Sequence, residues 1–337
     1  ESYPCPLHIN SYWNIGFLLG ITIIIQIFTG IILTLYYNSD INLAYFTIYF
    51  IIREIYIGYS LHYIHSNTPT FIFLLLYLHI YRGIYYYSYF YNPNTFSTGI
   101  ILYLLLMIIA FIGYVLPFGQ MSLWGATVIT NLLSSIPSVI TYILGSYSIS
   151  NPTLKRFFIF HFILPFILLI FLSIHIFYLH FNSSNNPLSI NTNNKIPFFI
   201  LIIIKDIYSL LLLLVIIIIQ IYFGITSLSH PDNSLQANSL ITPLHILPEW
   251  YFLCQYSILK GIPNKNSGFI FLLSSILILL LLPEIINLTT FIKLSHYNNP
   301  TLISSFSLSF LSLIYIGGQI PHSTFISYIR LLTINYY

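Results

Sequence analysis

The chain is a succession of long apolar blocks separated by short polar breaks. A helix needs about 20 mostly apolar residues to cross the hydrocarbon of a bilayer. On that measure the pattern predicts eight crossings, at 13–37, 58–88, 96–118, 156–181, 204–225, 267–289, 301–317 and 322–337, the last of them short. The segment 119–155, between the third and fourth, is uncharged up to Lys155 but broken by Gly119, Gly125, Pro137, Gly145 and Pro152. That punctuation predicts an interfacial or re-entrant helical hairpin that returns to the side it left. The connection 226–266 carries Pro231, Pro243, Pro248 and Pro263 and is expected as a folded surface excursion. The expected fold is an all-α, polytopic membrane helix bundle in two parts, 1–225 and 226–337.

Composition strengthens this reading. Of 337 residues, 57% are hydrophobic and 5% charged, against roughly 25% charged in soluble domains, so the chain has no means of building a water-facing surface. Its net charge of +3 comes from 10 basic and 7 acidic groups scattered along the sequence, which leaves no basic patch for nucleic acid. Positive charge does not orient the bundle, because Arg82, Lys195 and Lys293 fall on one side and Arg53, Lys155, Arg156, Lys260 and Lys265 on the other. Cys5 and Cys254 lie far apart and outside any C-x-x-C or C-x-x-C-H pattern, which argues against a zinc site, a thioether-linked haem and a disulfide framework. The chain opens on Glu1, and no basic segment with a short apolar core precedes the first crossing. No signal peptide is expected, and the natural start is expected upstream. Abundant Ile, Leu, Tyr, Phe and Asn beside scarce Ala and Gly is what an AT-rich gene encodes, and points to an organellar genome.

The chemistry lies in four histidines. The second crossing carries His65 and His79 and the fourth carries His161 and His175, fourteen residues apart in each case. Fourteen helical residues return to within about 40° of the starting face, about 21 Å further along the axis. One crossing separates the two helices, so they run in the same direction, and His65 is expected to meet His161 at one depth while His79 meets His175 at the other. Facing imidazoles in a bundle core are what a six-coordinate haem requires. A lone intramembrane histidine would more readily be read as a proton relay or an interhelical hydrogen bond; two equal pairs on parallel helices favour two stacked haems. Gly16 and Gly30 on the first crossing, and Gly99 and Gly113 on the third, repeat the interval. Lacking Cβ atoms, they are expected to make room for the two porphyrins, although small-residue helix packing would use them as well. Pro69 and Pro165 each stand four residues after a ligand at the first depth, where both helices are expected to kink.

HYIHSNTPTFIFLLLYLHIYRGIYY, GYVLPFGQMSLWGATVITNLL, KRFFIFHFILPF, SHPDN, Pro248-Glu249-Trp250-Tyr251 and IPNK follow one another along the chain, and together they resemble the mitochondrial cytochrome b family. The opening YPCPLHINSYWNIGFLLG and the SHPDN loop are most similar to apicomplexan and other alveolate members. The resemblance implies a subunit of ubiquinol:cytochrome c oxidoreductase (complex III), multi-pass in the mitochondrial inner membrane. It implies two non-covalent b-type haems in the 1–225 part, the low-potential one on His65 and His161 and the high-potential one on His79 and His175. Arg82 would face a propionate. The implied partners are a Rieske iron-sulfur protein, cytochrome c1, the other complex III subunits and membrane lipids, in a dimeric complex and a supercomplex beyond it. Where the family usually has Arg three residues before the first ligand this chain has His62, and Phe17 stands where Ser is frequent.

Two quinone sites follow from the same resemblance. Glu249 sits among Trp250, Tyr251 and Phe252, on the side of the His65/His161 level. A carboxylate in such surroundings should have its protonation tuned upward, which suits a base that takes protons from ubiquinol. Pro248, Gly125, Val128, Ile129, Tyr114 and Tyr256 resemble the walls of that pocket, with Tyr251 among the catalytic set. On the opposite side His180 and Asp206, assisted by Lys205, are expected to deliver protons to ubiquinone. The implied activity is a Q cycle, in which quinol oxidation on one face and quinone reduction on the other translocate protons. A transporter would instead gather polar residues on one midplane site, often within an internal repeat. The haem anchor of another quinone-linked dehydrogenase would lack both the Pro-Glu-Trp-Tyr segment and the hairpin.

Overall fold

The computed structural model describes residues 3–188, 193–284 and 299–337, with side chains described from residue 301 in the last stretch. Lys293 and the end of the predicted sixth crossing lie outside the described residues. The chain folds as helices α1 (Ile15–Thr34), α2 (Ala44–Glu54), α3 (Gly58–Tyr85), α4 (Ser88–Tyr91), α5 (Pro93–Val115), α6 (Gln120–Asn131), α7 (Pro137–Leu144), α8 (Asn151–Asn182), α9 (Leu201–Phe223), α10 (Leu253–Gly261), α11 (Lys265–Leu277), α12 (Asn299–Gly317) and α13 (Ser323–Tyr336). One small sheet interrupts the all-helical expectation: β1 (Pro4–Pro6) pairs antiparallel with β2 (Lys195–Pro197), Cys5 opposite Ile196.

Five helical segments among the described residues are long and apolar enough to cross a membrane: Ser11–Thr34, Pro93–Val115, Asn151–Asn182, Leu201–Phe223 and Lys265–Glu284. The expected count of eight is therefore not reproduced. The predicted second crossing is α3, long enough at 28 residues but diluted by its HSNTPT run. The predicted seventh is the shorter apolar stretch Thr301–Gly317 of α12, and the eighth is the 14-residue α13, about 21 Å long against a hydrocarbon core of about 30 Å.

The most extensive helix pairings are α5 with α8 and α1 with α3. The main core, with Phe73, Ile100, Leu168 and Tyr251, lies among α1, α3, α5, α8 and the Trp250–Phe252 turn. Segment 119–155 holds two helices, α6 packed against α5 and α7 against α8, and α7 ends at Gly145 with φ +72°. A side chain is strained in that left-handed conformation, and glycine is not. Helix α8 opens with a capping box, the Ser150 side chain accepting from the Thr153 amide while Ser150 N donates to Thr153 Oγ1 at 3.2 Å. Pro69 and Pro165 lie inside α3 and α8.

Candidate haem and quinone sites

Helices α3 and α8 bring the four histidines together in two pairs. The rings of His65 and His161 lie 6.2 Å apart between centroids, and those of His79 and His175 lie 6.3 Å apart. Two metal–imidazole bonds of about 2 Å, each extended by about 1.1 Å from nitrogen to ring centre, separate centroids by about 6.2 Å. Both gaps fit one metal ion between two imidazoles.

Three of the four rings are tethered at Nδ1 by groups that favour Nε2 as the metal ligand. His161 Nδ1 lies 3.0 Å from the Ile109 carbonyl oxygen, an acceptor, so Nδ1 carries the proton and Nε2 keeps a free lone pair. Thr29 Oγ1, which donates to the Ile25 carbonyl at 2.8 Å, sits 3.0 Å from His65 Nδ1. Thr98 Oγ1 donates to the Asn94 carbonyl at 2.8 Å and sits 3.2 Å from His175 Nδ1. The histidine interval does not reveal these threonines, but a sequence signal existed: each immediately precedes one of the interval glycines, Gly30 and Gly99.

The glycines stand against the imidazoles. A Cβ on Gly16 would lie 3.4 Å from His79 Cε1, on Gly30 3.0 Å from His65 Cε1, on Gly99 3.2 Å from His175 Cε1, and on Gly113 2.5 Å from His161 Cε1. Each backs one ring and fixes how far it can retreat into the neighbouring helix.

Arg82 is half-buried. Its guanidinium lies 5.0 Å from the centre of the Trp13 ring, Nη2 is 3.3 Å from His79 Nδ1, and the buried Nε has no partner. A guanidinium only donates, so an unused buried donor calls for an acceptor. A haem carboxylate meets that need and would also draw Arg82 from the imidazole, leaving Nδ1 free to carry a proton.

A cavity of about 600 Å³ joins the first histidine pair to the Pro-Glu-Trp-Tyr segment. His65, His161, Gly30, Gly113, Tyr114, Glu249 and Tyr251 line it, as do His62, Pro69 and Pro165. The two prolines inside α3 and α8 thus border open space. Burial pushes the Glu249 carboxyl up to about 7, and burial together with Glu249 and Tyr114 raises the Tyr251 phenol well above its ordinary value. The Tyr114 hydroxyl is buried without a partner. Gly125, Val128, Ile129, Pro248, Phe252 and Tyr256 are not among the lining residues. Ile129 is 37% exposed, a Cβ on Gly125 would meet nothing within 4 Å, and Tyr256 donates at 3.3 Å to the Ile246 carbonyl.

At the other end, His180 is exposed with its ring 5.0 Å from that of Tyr3, whereas Asp206 on α9 is buried. Asn14 donates to Ser209 at 2.9 Å and ties α1 to α9 one turn beyond Asp206. Phe17 is partly exposed on α1, and Lys205 is exposed.

A family model described as Cytochrome b/b6/petB matches residues 1–183, and one described as Cytochrome b(C-terminal)/b6/petD matches residues 236–337. Cytochrome b of Plasmodium chabaudi is 47% identical over 199 residues, 57% of this chain and 52% of that protein. Cytochrome b of Toxoplasma gondii is 45% identical over 198 residues, 57% of this chain and 54% of that protein. The chain spans about half the length of the curated relatives it matches. A solved structure described as a hyperthermophilic respiratory complex III superposes with a TM-score of 0.92 at 28% identity, over 99% of this chain and 90% of that one.

Proposed function

Since the chain belongs to the cytochrome b family, we propose that it is the di-haem subunit of a mitochondrial complex III, oxidising ubiquinol at one membrane face and reducing ubiquinone at the other. The observation that carries this reading is the stacking of two imidazole pairs, 6.2 and 6.3 Å across, with Glu249 in the same cavity as the first pair.

His65 and His161 would hold one haem and His79 and His175 the other; bound there, haem supplies reversible one-electron chemistry at two depths. The residues of the chain supply position and protons. Glu249, with its carboxyl near 7, divides between both protonation states at neutral pH. It accepts a proton on a carboxylate oxygen from a quinol hydroxyl and passes it on. The Tyr114 hydroxyl, free and buried beside the cavity, is placed to donate to a quinone oxygen. At the far side the exposed His180 takes up protons from water and the buried Asp206 holds one beside the bound quinone, with Lys205 at the surface. Opposite proton balances at the two faces constitute a Q cycle. Its completion requires an electron acceptor for quinol, the part assigned to a Rieske iron-sulfur protein, with cytochrome c1 and the remaining subunits in a dimeric complex.

The test is a reduced-minus-oxidised spectrum with a redox titration of the purified complex. Two b-type components of different potential are expected, and absence of any haem signal would contradict the proposal.

A further inference from the structure

Between its two histidines, α3 turns a second set of side chains toward the segment that presents Glu249. Thr70, Phe73 and Tyr77, three and four residues apart, form one stripe along the helix. Each engages the Trp250–Phe252 turn. Trp250 Nε1 donates to Thr70 Oγ1 at 3.3 Å. The Tyr251 ring lies flat on Phe73, centroids 4.2 Å apart and planes 3° from parallel. The Tyr77 hydroxyl donates to the Tyr251 carbonyl oxygen. The Glu249 carbonyl accepts from Phe252 N at 2.9 Å, so residues 249–252 move as one closed turn.

Tyr77 is itself braced. Its ring meets Trp250 at 6.0 Å, Tyr103 at 6.0 Å and Phe310 at 5.0 Å, all edge-on. Gln255 on α10 donates at 3.1 Å to the Tyr103 hydroxyl. A phenol is a costly group to place inside a bundle core unless its hydroxyl is satisfied, and this one is spent on a backbone carbonyl two residues beyond the carboxylate.

We propose that Tyr77 is a positioning residue for Glu249. By fixing the turn that carries the carboxylate to the helix that carries His65, it sets the proton acceptor of quinol oxidation at a constant distance from the first-level haem site. This inference rests on the reading of Glu249 as that acceptor. Thr70 and Phe73 hold the neighbouring residues of the turn, while Tyr77 alone of the three bonds its backbone. The arrangement makes a hydroxyl outside the lining of the cavity a determinant of proton transfer inside it.

The experiment compares Tyr77→Phe, Glu249→Gln and the double variant in the assembled complex, reading haem content, KM for quinol and the rate of quinol oxidation across pH. Tyr77→Phe should keep both haems and an unchanged KM, lower kcat by on the order of tenfold, and displace the acid limb of the pH profile. On the Glu249→Gln background it should have no further effect. Equal losses from Tyr77→Phe in both backgrounds, or a fall in kcat with an unmoved pH profile, would overturn the proposal. Full activity of Glu249→Gln would remove the reading of Glu249, and this proposal with it. Should Tyr77→Phe fail to assemble, Phe73→Leu, which removes the stack on Tyr251, is read against the same two backgrounds.

Discussion

At the scale of single residues, the site is governed by what stands behind each functional group. Gly113 leaves the least room behind its imidazole and Gly16 the most, so Gly113→Ala is expected to displace His161 at a cost of about 1–3 kcal/mol and to empty the first haem level, whereas Gly16→Ala is tolerated. Haem-to-protein ratios of the two variants check this, and equal ratios would contradict it. Glu249 carries the pH dependence. Its folded carboxyl titrates at about 7, above its ordinary 4.5, so the native state holds a proton the unfolded chain has already released. Its contribution to stability is complete below about 4.5 and is lost as pH rises through about 7. Activity runs the other way, because a base must be deprotonated: quinol-driven haem reduction should rise with pH through about 7, and Glu249→Gln should slow it and flatten that rise with both haems retained. Only one of these two environments follows from the sequence alone. The aromatic neighbours of Glu249 announce a raised carboxyl, whereas the contact of each glycine with an imidazole depends on how closely α1 and α5 approach α3 and α8.

At the scale of elements, α3 and α8 do the positioning, each with two histidines on one face and a proline one turn past the first. Their parallel course was legible because parity of crossings and a fourteen-residue interval are both fixed by helix geometry. The apolar measure nevertheless passes over α3, since its polar run Ser66, Asn67, Pro69 and Thr70 lines the cavity. Helix α2 was not legible: eleven residues are too few to cross, and its role of closing the cavity through Tyr45, Tyr49 and Arg53 depends on packing. The β1–β2 ladder joins three-residue strands far apart in sequence, Pro4–Pro6 and Lys195–Pro197, with no local signal in either. The start of α8 sets the depth of His161, so its capping box matters. Ser150→Ala should cost about 1 kcal/mol, seen as a lowered thermal midpoint with both haem bands intact at room temperature. An unchanged midpoint would show that the other contacts of that end, among them Asn151 donating to Asp40 at 2.8 Å, fix it without the cap.

At the scale of the whole molecule, two imidazole pairs lie in line along two parallel helices, and the cavity at one end joins a pair to a buried carboxyl. Long apolar blocks made the bundle readable, and the order of motifs made the family readable, whereas eight crossings are not reproduced among the described residues, where a polar cavity wall and two short last helices depart from the apolar rule. The most direct test is spectroelectrochemical titration of the wild-type complex beside His161→Ala and His175→Ala. Two b-type components are expected in the wild type, each variant losing a different one and keeping the other. A single component in the wild type, or the loss of the same component in both variants, would contradict the two-level arrangement.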